Sequence, residues 1–192
     1  MQKLSTLEQE ALSNVFSMGA TDHLTGWADR HTLEKVLQRE YGCASRARSP
    51  LAIITVAIDG WNLYANTYGR LAGEQSLKDV AAVLRNAAKR PSDLAARYAA
   101  GDLMLILPDT DFDGAVAMAQ TMRRDVENLR APHDPGAQLP YATISLGVVV
   151  VVPPVAQSWD QIMEQALLAL QTAKDAGPNH MVAEIVLTPP TD

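Results

Sequence analysis

Cysteine is nearly missing from this chain, with Cys43 alone in 192 residues. With no second thiol there is no intramolecular disulfide, and no other ligand residues cluster around it, so Cys43 reads as a small residue ending a helix. Long hydrophobic runs are lacking too. No segment approaches the roughly 18 consecutive apolar residues of a membrane span. Met1 to Glu10 is polar and helical in pattern rather than leader-like, so the expected location is cytoplasmic. Positive charge is in deficit, with 16 Lys and Arg against 22 Asp and Glu and a net charge of -6. That balance argues against broad binding to nucleic acid or membrane surfaces, while leaving room for a local basic patch. The histidines His23, His31, His133 and His180 fall in separate elements with no ligand spacing between them, and each reads as a surface or capping residue. There is no internal repeat, no low-complexity segment and no dividing linker.

What is present suits one domain with a short appendage. The hydrophobic share is 47% and the charged share 20%, ordinary for a globular protein long enough to bury a full core. Residues 3–18 carry Leu4, Leu7, Ala11, Leu12, Val15 and Phe16 at helical spacing. Such a stripe must pack on the domain or on a second copy. We therefore expect an N-terminal helix within 1–20, a domain over 21–187 and a frayed tail at 188–192.

The turn at 21–26 leads into a helix running to about Tyr41, closed by Gly42. Leu51 to Ile58 is β-branched and apolar, the pattern of a central strand covered on both faces. Helices are expected at 61–68 and 74–88, the latter stopped by Pro91. A hairpin follows over 94–107, then a helix at 112–129, a strand at 142–152, a helix at 159–176 and a last strand at 181–186. This order predicts an α/β (α+β) fold, a ferredoxin-like core with a mixed sheet and helices on one face.

Five blocks in this order resemble the GGDEF family, the diguanylate cyclases, over roughly residues 21–187. Asp22-x-Leu24-Thr25-Gly26 resembles its opening motif. Asp59-Gly60-Trp61 with Tyr68-Gly69-x-x-x-Gly73-Glu74 resembles its second block, and Arg97-Tyr98-Ala99-Ala100-Gly101-Asp102 its signature hairpin. Leu107-Pro108-x-Thr110 with Thr143-Ile144-Ser145-Leu146-Gly147, then Ala173-Lys174-x-x-Gly177-x-Asn179, resemble the rest. The resemblance implies the nucleotidyl-cyclase palm, a central mixed sheet flanked by helices. It places Trp61 where the family has Phe, read here as a core residue, and Ser145 inside a strand rather than on a nucleophile elbow.

The same resemblance implies that the catalytic chemistry is gone. The family holds a divalent metal between an Asp at the end of the first strand and the third signature residue, to neutralise triphosphate charge and activate a 3'-hydroxyl. Those positions are Ala57 and Gly101 here. The signature glycines are Ala99 and Ala100, whose methyl groups oppose close backbone approach to phosphate. The guanine-binding Asn is Ala65, and its acidic partner is Glu74. Asp59 lies on the same strand face as Ala57, so Asp59 and Asp102 are the weak metal candidates that remain; the expectation is no catalytic residue, no metal and no cofactor. Lys174 matches a phosphate-contacting lysine, and the neighbouring basic position is Pro178.

One family site is intact. Arg90-x-x-Asp93 stands in the register of the family's inhibitory site for its product, cyclic di-GMP. Arg forks onto guanine O6 and N7 or onto phosphate, and Asp accepts from guanine N1 and N2. Arg85, Lys89 and Arg97 add local positive charge, and Arg123 and Arg124 lie near Thr121, where the family has a second-protomer arginine. Neither Arg90 nor Asp93 is expected to carry packing. Two readings follow. One is an inactive GGDEF domain acting as a receptor for cyclic di-GMP, the regulatory ligand, and signalling to an unidentified protein partner. The other is a nucleotide-free scaffold that dimerises through the N-terminal helix or docks by its vacated face. A residual cyclase stands third.

Overall fold

The protein is described by a computed structural model over residues 20–133 and 139–187. The stripe at 3–18, and with it any self-association through it, and the tail at 188–192 lie outside the described residues. The described elements run α1 (Arg30–Ala47), β1 (Leu51–Ile58), α2 (Trp61–Tyr68), α3 (Arg70–Leu84), β2 (Leu94–Arg97), β3 (Asp102–Pro108), α4 (Phe112–Leu129), β4 (Ile144–Val151), α5 (Trp159–Asp175) and β5 (Met181–Val186). They build one mixed sheet in the order β2-β3-β1-β4-β5. β1 is antiparallel to both β3 and β4, and β5 is parallel to β4. Strands β2-β3-β1-β4 with α3 and α4 form the ferredoxin-like core.

Helices cover both faces of the sheet, not one as the element order suggests. Ile54, Val56, Leu103 and Leu105 pack with Leu77, Val80 and Leu84 of α3 and Ala115 and Met122 of α4. Ile53, Met104, Ile106 and Val149 pack on the opposite side with Leu33 and Leu37 of α1 and Ile162 and Ala166 of α5. The reason lies in β1 and β4, in which every residue is buried. An apolar strand with no polar face needs cover on each side, and each buried Leu, Ile or Val contributes roughly 1.5–3 kcal/mol.

Two helix limits move. α1 continues through Gly42 to Ala47 and ends on Arg48 at φ +54°. A glycine inside a helix costs only about 1 kcal/mol, and Ala44 beyond it is buried against the sheet. Cys43 thus sits within the helix, not at its end. α3 begins at Arg70, four residues before the expected start, and stops at Leu84 well short of Pro91. Gly73 lies in its first turn because a side chain there would strike α2: a Cβ would stand 2.6 Å from the Ala65 Cβ.

Gly147 sets where α5 rests. A Cβ at this position would lie 2.4 Å from the Leu170 amide nitrogen and 2.7 Å from the Thr55 hydroxyl. The Thr55 hydroxyl stands 2.9 Å from the Ala166 carbonyl. This close seat fixes the C-terminal end of α5, and with it Lys174, above the end of β1.

Candidate functional site

The signature hairpin turns at Tyr98 to Gly101, and the amides of Tyr98 and Ala99 both donate to the Asp102 carbonyl, at 3.0 and 3.2 Å. None of Ala99, Ala100 and Gly101 has positive φ. The turn therefore takes a conformation that alanine accepts without strain. Arg97 braces it. Its guanidinium donates to the carbonyls of Ala99 (3.2 Å) and Ala100 (2.8 Å) and to Asp22 Oδ2 (2.9 Å). Burial works against the Asp22 charge, but the Thr25 amide and hydroxyl and the Arg97 guanidinium outweigh it and hold the carboxyl below its ordinary pKa. Arg97 is thus committed to the fold and leaves no free cation for a ligand.

At the end of β1, Ala57 pairs across the sheet with Asp102. Asp102 is pushed above its ordinary pKa by burial, which the charge of Lys174 partly offsets. Asp59 is held by three donors. Its Oδ2 accepts from Thr143 Oγ1 (2.7 Å) and the Asn179 amide (2.8 Å), and its Oδ1 from Ser145 Oγ (2.6 Å). It ties β1, β4 and the α5–β5 loop together, which accounts for Ser145 in the strand. These bonds engage Asp59 within the fold. Asp59 has its oxygens occupied, Asp102 stands alone, and the described residues contain no group of three or more His, Cys, Asp or Glu able to hold a metal.

The two positions that the resemblance assigns to guanine contact have partners within the fold. Ala65 packs on Gly73, and Glu74 pairs with Arg70 at 3.1 Å. Trp61 packs at the margin of the core, as its reading as a core residue expects, without being fully enclosed. It is half-buried, its Nε1 donates to the Gly73 carbonyl at 2.8 Å, and its ring lies against Gly101. The glycine at 101, legible in the sequence only as a lost acid, was the available signal for that contact.

Arg90 and Asp93 meet on the loop between α3 and β2. The Asp93 amide donates to the Arg90 carbonyl at 3.0 Å, and Asp93 Oδ2 accepts from the Arg90 amide at 3.0 Å. Asp93 is 9% exposed, against the expectation that it carries no packing. The short loop folds its carboxyl inward as a turn cap. Its Oδ1 is buried and has no hydrogen-bond partner among the described residues. Burial raises its pKa, against the pull of the Arg90 amide, the Arg90 charge and the Lys89 amide. The Arg90 side chain is exposed and donates to Thr110 Oγ1 at 3.4 Å rather than to the carboxylate.

The surrounding cations divide. Arg85 donates to the Thr25 carbonyl at 3.1 Å and, with Asp93, Trp27 and Thr32, lines a cavity of about 210 Å³. Lys89 lines a second cavity of about 390 Å³ between α3 and α4, together with Met118, Met122 and Thr121. Arg123 reaches away to the Asn179 carbonyl at 3.2 Å, so it serves the α5–β5 loop. Arg124 is exposed, with its Nη2 3.5 Å from the Thr121 hydroxyl. Arg90 and Asp93 meet on this loop and Arg85 shares the first cavity with Asp93, whereas Lys89 faces the second cavity and Arg97 and Arg123 are engaged elsewhere.

Comparison with known proteins agrees with this fold. The family model described as "Diguanylate cyclase, GGDEF domain" matches residues 19–180. The chain is 30% identical over 167 residues to the probable diguanylate cyclase DgcT of Escherichia coli, covering 83% of this chain and 36% of DgcT. It is 27% identical to diguanylate cyclase A of Treponema denticola, over 94% of this chain and 49% of that protein. The chain thus spans half or less of the length of these relatives. Among solved structures, the GGDEF domain of DgcB from Caulobacter crescentus in complex with c-di-GMP superposes with a TM-score of 0.77 at 26% identity, covering 85% of this chain and 92% of that one.

Proposed function

Because this chain belongs to the GGDEF domain family, we propose that it serves as a receptor for cyclic di-GMP through Arg90 and Asp93 and makes none of it. The observation that carries the receptor reading is the Asp93 carboxyl, with one oxygen bonded to the Arg90 amide and the other buried without a well-formed hydrogen bond, the Lys89 amide alone standing near. A buried acceptor left unpaired costs roughly 1–3 kcal/mol, and the N1 and N2 donors of a guanine would relieve that cost. Arg90, exposed beside it and held only by a long contact to Thr110, is placed to fork onto the base or a phosphate. Binding of cyclic di-GMP by the DgcB domain supports the reading by relationship.

The inactive half rests on the donors at the metal position. Ala57 and Gly101 offer no ligand, and Asp59 is committed to Thr143, Ser145 and Asn179. Without carboxylates to hold a cation on the triphosphate, attack of one nucleotide on another lacks its charge neutralisation.

Titration calorimetry with cyclic di-GMP tests the receptor. Arg90→Ala should weaken binding about ten- to a hundredfold, the equivalent of one charge-assisted hydrogen bond of roughly 1.5–3 kcal/mol. No heat with the wild type at millimolar ligand overturns the reading. Chromatographic assay of GTP with magnesium or manganese should yield no cyclic di-GMP, and product formation would revive a metal site on Asp59.

A second reading, a docking scaffold, is favoured by α2. This helix has no charged and no buried residue, and Leu63, Tyr68 and the adjoining Leu71 are exposed.

A further inference from the structure

Trp61 opens α2 directly after Gly60, and its indole crosses from that helix to two glycines on other elements. The ring nitrogen donates to the Gly73 carbonyl in the first turn of α3. A Cβ built on Gly101 would stand 2.8 Å from the indole Cδ2 and 3.0 Å from Cγ and Cε3; one built on Gly73 would stand 3.3 Å from Cζ2. The φ of Gly101 is not in the left-handed region. Its backbone therefore accepts any residue, and the ring alone forbids a side chain. Such contacts are tighter than packed interiors tolerate.

We propose that Trp61 is a resident plug. Its indole fills the space between the signature turn and the α2–α3 pair, the space that a side chain at position 101 would need. The plug bars a side chain at position 101, an acid included. This concerns entry on the signature-turn face and is independent of ligand binding at Arg90 and Asp93.

The plug predicts a vacancy when it is removed, since apolar cavities left by large side chains take up planar aromatic molecules. The experiment uses the full chain and indole as the probe. Trp61→Ala should melt below the wild type, and indole at a few times its Kd should raise that melting temperature by roughly 2–4 °C. Wild type should be indifferent to indole. Gly101→Ala should lower the melting temperature of the wild type and have little effect in the Trp61→Ala background. Where Trp61→Ala does not fold, Trp61→Leu carries the same comparison. Three outcomes overturn the proposal: indole leaves the Trp61 variant unmoved, indole stabilises the wild type equally, or Gly101→Ala costs the same in both backgrounds. None of them bears on cyclic di-GMP binding, which is measured separately by the Arg90→Ala titration.

Discussion

The Arg97 guanidinium meets the Asp22 carboxylate at 2.9 Å across 75 residues of sequence, with side-chain exposures of 19% and 13%. Arg97 also holds the Ala99 and Ala100 carbonyls. One side chain thereby clasps the signature turn to the opening motif, whose Thr25 amide and hydroxyl complete the Asp22 shell at 2.9 and 2.8 Å. Arg97→Ala should destabilise by about 1.5–3 kcal/mol, the range for hydrogen bonds to a charged group that lose a partner. Denaturant unfolding checks this, and the midpoint should fall with the slope unchanged. The acid limb follows in sign. Because the folded pKa of Asp22 lies below its ordinary value, its stabilisation is present above that value and lost as pH falls through the folded one. Asp22→Asn should flatten this limb.

Asp59 should behave as a structural residue. Asp59→Ala strips the acceptor from the Thr143 and Ser145 hydroxyls and the Asn179 amide together. A loss of about 3 kcal/mol or more is expected for an acceptor shared by several buried donors. Hydrogen exchange should show the loosening at Asn179 and the start of β4. A variant as stable as the wild type would remove Asp59 from this role.

Asp102 should act in the opposite sense. Burial raises its folded pKa above the ordinary value, with Lys174 only partly offsetting. A raised carboxyl favours the folded state at pH below its unfolded value, and that advantage is lost as pH rises through the folded one. Asp102→Asn should therefore be more stable than the wild type at pH 7, and the gap should close in acid. Melting curves between pH 3 and 8 test this at ~1-unit steps. A gap that widens in acid would contradict it.

Ligand affinity carries the same signature at Asp93. Its pKa is raised, chiefly by burial, and only the ionised carboxylate accepts from two guanine donors. Cyclic di-GMP should bind less tightly as pH falls through this raised pKa. Calorimetry at a pH series reads this directly. Asp93→Asn should bind weakly at every pH and lose the dependence.

The element order was legible in the chain because its signals are local. Leu51 to Ile58 is apolar and β-branched without interruption, and β1 occupies those residues. The helices at 61–68 and 112–129 and the strand at 181–186 likewise end where expected. The missing carboxylates at Ala57 and Gly101 and the register of Arg90 with Asp93 also needed no coordinates, since they are residue identities at fixed spacing. Contacts between distant residues needed the fold. Asp59 read only as a weak metal candidate at a strand end, and its partners Thr143, Ser145 and the Asn179 amide appeared once β1, β4 and the α5–β5 loop came together. Arg97 and Arg123 counted as free cations until the tertiary structure gave them Asp22 and the Asn179 carbonyl. Gly101 read as a deletion of chemistry, and only packing revealed it as the space a tryptophan 40 residues earlier requires. Pattern along a chain reports which face of an element is apolar; which donor finds which acceptor depends on how those faces stack, and that is settled by burial in three dimensions.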